Sequence, residues 1–108
     1  MHVLIGGNTT RVVLSGDIDA ELAPYLVEAA AEVIEAGQPV EVDTRHVTFM
    51  DSTGVAFLAR LAGASTTRPV VLSPPEEVRF LLEITRIGDL VEVNDREQSS
   101  DSELPDPA

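Results

Sequence analysis

The side chains best placed to do chemistry lie in one short stretch. Asp51-Ser52-Thr53-Gly54 sets a carboxylate, two hydroxyls and a glycine in a row. The apolar pair Phe49-Met50 precedes them, and an apolar helical periodicity starts at Val55. Asp and Ser both cap helices well, because their oxygens accept from backbone N–H groups that the first turn leaves unpaired. A Ser at such a start is exposed, and an added phosphate there would meet N–H donors and the positive end of the helix dipole. The same phosphate would stand beside the Asp51 carboxylate and form a dense negative patch. Spacing alone leaves two readings open: a plain capping sequence, or an acceptor for phosphate.

Other chemistry is poorly supplied. The two histidines are His2, near the start of the chain, and His46, a single polar residue in a connecting segment. Ser52, His46 and an Asp could be drawn as a triad, but no Gly-x-Ser-x-Gly elbow surrounds Ser52. Two separated histidines and no cysteine make no metal cluster. Gly6-Gly7 lacks the spacing and the Lys of a phosphate-binding loop. Asp17, Asp19 and Glu21 could hold a cation, but leaving a strand and starting a helix is their simpler use. No cofactor, metal or catalytic residue is expected, and the chain reads as a binding protein rather than an enzyme.

Charge narrows the partners. Nineteen acids oppose seven bases, all of them Arg, for a net charge of −12. Such a surface repels phosphate backbones and anionic lipid, so nucleic acid and membrane-surface roles are disfavoured. Protein partners remain. With no cysteine, no leader-like segment and no long apolar run, the chain is expected to be cytoplasmic and not inserted in a membrane.

The elements that must position Ser52 follow from periodicity. Val3-Leu4-Ile5 and Arg11 to Gly16 read as strands joined by a turn at Gly6-Gly7-Asn8. Ala20 to Ala36 is helical, with Leu22, Leu26, Ala29, Ala30 and Val33 as its apolar stripe, widened by Ala23, Val27 and Ile34. Val40 to Asp43 is a third strand, and Thr44 to Met50 connects it to the Ser52 helix. In that helix Val55, Leu58, Leu61 and Ala62 face inward, while Thr53, Ala56 and Arg60 face away. Phe57 lies at the stripe's edge. Val70-Val71-Leu72 is a strand, and Ser73-Pro74-Pro75-Glu76 starts a third helix with Val78, Leu81, Leu82 and Ile84 on its apolar face. Leu90 to Val93 closes the pattern. The order β-β-α-β-α-β-α-β predicts an α/β fold: one mixed sheet of four or five strands covered by about three helices, over residues 1–93. Residues 94–108 carry five acids and a single large aliphatic side chain, and read as a disordered acidic tail.

Three segments together resemble a known family. Phe49-Met50-Asp51-Ser52-Thr53-Gly54-Val55 is similar to the signature of STAS domains that act as anti-sigma factor antagonists, usually an apolar pair followed by Asp-Ser-Ser/Thr-Gly-Leu. Leu14-Ser15-Gly16-Asp17-Ile18-Asp19 and Leu82-Glu83-Ile84-Thr85 resemble two further family segments, in the same order and at fitting spacing. The match spans roughly residues 3 to 93. The resemblance implies the STAS fold. It implies a protein, monomeric when free, that binds an anti-sigma factor which is also a serine kinase, so releasing a sigma factor. Ser52 would be the phosphoacceptor whose modification ends binding, and a metal-dependent serine phosphatase would reverse it. Asp51, Ser52, Thr53 and Gly54, with Ala56 and Arg60 further along the helix, would form the docking surface, Gly54 letting the helix start come close. Two departures stand out: Val55-Ala56-Phe57 replaces the commoner Leu-Gly or Leu-Arg pairs, and Arg86 stands where a Gly usually follows Thr85. The second reading is a STAS accessory subunit of a transporter, such as a lipid-transport complex, or of a stress-sensing assembly, without phosphoswitching.

Overall fold

The computed structural model describes residues 1–95. Its elements in chain order are β1 (His2–Ile5), β2 (Thr10–Ile18), a 3-10 turn Ala20–Leu22, α1 (Ala23–Ala36), β3 (Val40–Met50), α2 (Ser52–Ala64), β4 (Val70–Leu72), α3 (Glu76–Ile84), a second 3-10 turn Ile87–Asp89, and β5 (Glu92–Asn94). The sheet has the spatial order β1-β2-β3-β4-β5. β1 and β2 are antiparallel, and the other pairs are parallel. The expected α/β architecture is therefore observed, with five strands.

Each parallel step moves the same way across the sheet. Right-handed crossovers then put α1, α2 and α3 on one face. Register explains what they cover. Val12, Val42 and Val71 lie in one row across β2, β3 and β4, and none of the three is exposed to solvent. Leu26, Ala30, Val33, Leu58, Leu61, Val78 and Leu82 close over that row from the helices. An almost purely aliphatic core follows from a composition with only four aromatic residues, of which Phe57 alone is buried.

The helix ends match their residues. The Asp19 carboxylate accepts from the Glu21 N–H at 3.1 Å, Pro24 sits in the first turn of α1, and Gly37 closes that helix at φ 66°. α3 starts differently from the expectation. Pro75 is its N-cap without a side-chain bond. Ser73, the polar residue that opens the expected helix start, sits at φ 48° and donates its N–H to Asn94 O at 2.8 Å. Ile84, assigned to the apolar face, stays exposed.

The largest correction concerns residues 44–50. They do not connect β3 to the next helix; they are the second half of β3. Parallel pairing to β2 continues as Ser15↔His46, Gly16↔Val47, Asp17↔Phe49 and Ile18↔Met50, across register shifts between Val13 and Ser15 and between Gly16 and Asp17. Gly16 has φ 76°, a conformation that L side chains rarely adopt, and it sits at the second irregularity. β5 also reaches Asn94, one residue past the expected domain limit. Asp95 pairs with Arg79. The remainder of the segment expected to be a tail, residues 96–108, lies outside the described residues.

The sheet face away from the helices carries a charge cluster. The Asp43 side chain is 3% exposed and accepts from Arg11 at 3.0 Å and from Arg45 at 3.1 Å. Arg11 also reaches Glu41 at 3.3 Å. The Asp43 carboxylate further accepts from the Arg45 backbone N–H at 3.0 Å. Burial alone would raise the Asp43 pKa. The Arg45 N–H, the Arg45 charge and the side-chain hydrogen bonds from Arg11 and Arg45 outweigh it and hold the carboxyl below its ordinary value.

Two predictions follow. Because the folded pKa of Asp43 is depressed, its contribution is complete above the unfolded carboxylate pKa of about 3.9 and is lost as pH falls through the folded value. Asp43→Ala should cost about 2 kcal/mol at neutral pH, after discounting for arginines that remain partly in water. Thermal melts of both chains should show that gap narrowing once the pH drops below about 4. At the other end of the fold, Arg86 adopts φ 66° just after α3, where a non-glycine residue is strained by about 1 kcal/mol or more. Arg86→Gly should raise the melting temperature by a few degrees, net of the lost Arg86–Asp89 pair, which is exposed.

Candidate functional site

Ile18 and Met50 are the last paired residues of β2 and β3, so both strands end at the same edge of the sheet. The Asp51 N–H donates to Ile18 O at 3.2 Å, one step beyond. The chain then turns into α2, with Asp51 as N-cap and Ser52 as the first helical residue. The Asp51 carboxylate accepts from the Thr53 N–H at 2.8 Å. Its backbone carbonyl accepts from the Gly54 N–H at 3.1 Å and the Val55 N–H at 3.3 Å. Asp51 thus occupies the N–H groups of the three residues after Ser52. The expected ring of free donors around a phosphate is reduced to the Ser52 N–H.

Ser52 itself is exposed. Among the described residues its hydroxyl makes no hydrogen bond to another residue, including the two histidines. His46 is exposed on β3 opposite Ser15, on a strand rather than in a connecting loop. Among the described residues no group of three or more His, Cys, Asp or Glu is arranged to hold a metal ion.

A groove of about 410 Å³ runs between α1 and α2 and brings most of the expected residues together. Ser52 and Thr53 lie at its α2 start, with Ala56 and Arg60 further along the helix. Ala23, Leu26 and Val27 of α1 and the buried Phe57 of α2 complete it. These four were not among the docking residues expected from sequence. Val27 was assigned to the core stripe, yet it is 56% exposed. The only hint was that Ala23 and Val27 stretch the α1 stripe wider than a core face requires.

The expectation for Gly54 is corrected. It is buried and faces inward rather than toward a partner. A Cβ there would fall 2.5 Å from Met50 Cγ and 2.8 Å from its sulfur. The glycine lets α2 start close against its own preceding strand. Arg86, one of the two departures from the family pattern, leaves the end of α3 intact: it takes up the left-handed turn that a Gly would serve.

The family model described as Mlab, STAS domain matches residues 1–92. The chain belongs to the STAS domain family. Solved structures share the fold of this STAS domain. An anti-sigma factor antagonist from Mycobacterium paratuberculosis superposes with a TM-score of 0.80 at 22% identity, over 97% of this chain and 92% of the other. The anti-sigma factor antagonist SpoIIAA, in its unphosphorylated form, gives 0.68 at 19% identity, covering 93% and 92%. A protein of Thermotoga maritima gives 0.71 at 14% identity, covering 97% and 94%. No curated protein matches this chain by sequence. Among the described residues no helix is long and apolar enough to cross a membrane.

The geometry around Gly54 gives a test. Gly54→Ala should destabilise the STAS domain by about 1–2 kcal/mol through overpacking against Met50, although Ala is the better helix former. In a double-mutant cycle with Met50→Ala, which removes the obstructing atoms, the combined loss should be smaller than the sum of the two single losses. Additive losses in chemical denaturation would contradict the contact.

Proposed function

We propose that this STAS domain is an anti-sigma factor antagonist switched by phosphorylation of Ser52. The observation that carries the reading is the exposed Ser52 hydroxyl at the first position of α2, beside a capping carboxylate and at the end of an apolar groove. The fold shared with antagonists supports it, as does the existence of an unphosphorylated form of SpoIIAA as a distinct state. Unphosphorylated, the domain binds an anti-sigma factor that is also a serine kinase, in the cytoplasm, and a sigma factor is freed. Asp51, Ser52, Thr53, Ala56 and Arg60 supply the contact. A serine phosphatase restores the binding form.

The physics of the switch is local. Phosphate adds about −1.5 to −2 charges at neutral pH. With the neighbouring N–H groups already donating to Asp51, few donors remain to neutralise that charge. It would lie against the Asp51 carboxylate inside a protein contact, where like charges brought together cost several kcal/mol. No change of fold is needed.

The second reading is an accessory subunit of a lipid-transport assembly. It is compatible with the STAS family match, which carries the description Mlab and names no process. Such a role needs no kinase-sensitive serine, and that separates the two.

The test is direct. After incubation with ATP and a candidate anti-sigma factor kinase, mass spectrometry should find one phosphate, on Ser52. Ser52→Ala should keep full binding and take up none. Ser52→Asp should bind at least about tenfold more weakly, a loss of about 1.4 kcal/mol. Equal phosphorylation of the Ala variant would end the assignment.

A further inference from the structure

The acidity of the protein is unevenly distributed, and the α1/α2 groove is lined without it. None of the eight residues that line the groove is acidic. All of α2 carries a single charged side chain, Arg60. On α1, the groove side is Ala23, Leu26 and Val27. The acids of that helix, Glu28, Glu32 and Glu35, fall on its other side by helical periodicity. The acids nearest the lining in the chain, Glu21, Glu28 and Asp51, are outside it.

Arg60 is one of two arginines without an ion pair among the described residues. Of the six within the described residues, Arg11, Arg45, Arg79 and Arg86 are ion-paired. Arg60 and Arg68 are exposed and have no ion pair or hydrogen bond among the described residues, and of the two only Arg60 lines the groove. In a chain of net charge −12, an unpaired cation beside an apolar cleft is a local attraction for negative charge, set in a surface that elsewhere repels it.

We propose that the partner lays an amphipathic helix in this groove, with apolar side chains against Leu26, Val27, Ala56 and Phe57, and a carboxylate on Arg60. The inference rests on the docking role of this face given above, and it names the chemistry of what docks. Helices seat in such grooves through a few apolar anchors, and rim charges set register and partner choice. A second copy of the chain is a poor occupant, since two molecules of charge −12 repel each other over long range. The proposal also gives the switch its direction. A phosphate on Ser52 would add to the Asp51 charge at the end of the groove, against a partner selected for carrying negative charge there. Ser52 and Arg60 are about 12 Å apart along the helix axis, so the phosphate does not simply pair with Arg60.

The test uses the whole chain and two short synthetic amphipathic peptides that share one Leu/Phe face. One has a Glu rim and the other an Arg rim. In amide NMR titrations the Glu-rimmed peptide should shift Val27, Ala56 and Arg60 saturably. Arg60→Glu should weaken that binding by about tenfold or more, and Arg60→Lys should restore most of it. The Arg-rimmed peptide should perturb the outer face around Glu28 and Glu32 instead. If the Arg-rimmed peptide fills the groove of the wild-type chain as tightly, if neither peptide shifts it, or if Arg60→Glu changes nothing, the proposal fails. The measurement involves no kinase. A chain that is never phosphorylated on Ser52 but keeps the Glu-rim preference would remove the switch and leave this inference standing.

Discussion

The parallel pairing of β2 with β3 is the constraint on which the rest depends. It is the longest ladder in the sheet, and it survives two register irregularities to end at Ile18 and Met50. The Asp51 N–H then bonds to Ile18 O. That bond fixes where the chain leaves the sheet, and so where α2 begins. In open sheets of parallel strands, the carboxyl ends of the strands are where functional groups gather, because each strand there hands its chain to a helix N-terminus. Here the hand-over leaves one serine outside. Shift the ladder by a residue and Val47 and Met50 would turn away from the core, with Gly54 no longer against the Met50 side chain.

The sequence conveyed the helices better than the strand that matters most. α1 and α2 carry clear three- and four-residue periodicity, and their limits are punctuated by Pro24, Gly37 and Asp51. β3 is harder to read because its irregularities reset the alternation. Val40 and Val42 obey a period of two, but Asp43 and Thr44 are both buried, and then His46, Thr48 and Phe49 are exposed. A strand whose inward residues change parity halfway resembles a loop. Asp43 is hidden for another reason: only tertiary folding brings Arg11 and Arg45 over it. Ser52 was legible because a cap is a local feature. The groove was not, because an apolar stripe in sequence does not distinguish side chains that meet the sheet from those that line a cleft between two helices. Val27 is of the second kind. Gly54 misled in the same way: its reason is a contact with Met50, four residues back and across a turn.

Asp51 does two jobs whose physical demands agree. As a cap it must be ionised or at least accepting, and it must point back over the first turn, which consumes the Thr53 N–H. That same orientation keeps a carboxylate beside Ser52. A helix start with open N–H groups would tend to bind a phosphate and neutralise it. A start whose donors are already committed leaves an added phosphate largely uncompensated. The more completely Asp51 caps the helix, the larger the electrostatic penalty that modification of Ser52 imposes on anything docked there.

Charge is also divided between the two sides of the sheet. The face away from the helices holds Asp43 between two arginines, a closed cluster whose net effect is on stability. The helix side has a groove with no acid and one unpaired arginine, whose effect is on what approaches. A modification at Ser52 therefore changes the field of the groove without touching the ions that hold the sheet together. Asp43 at the centre of the cluster is shielded by burial, and the cluster lies across the sheet. The groove is open to water, where a charge is felt within about a Debye length of 8–10 Å. This separation allows one residue to change partner affinity strongly in a small domain with little stability to spare. The helix that carries the signal is anchored through Val55, Leu58 and Leu61 in the core, and its charged end is free to respond because none of those anchors is polar.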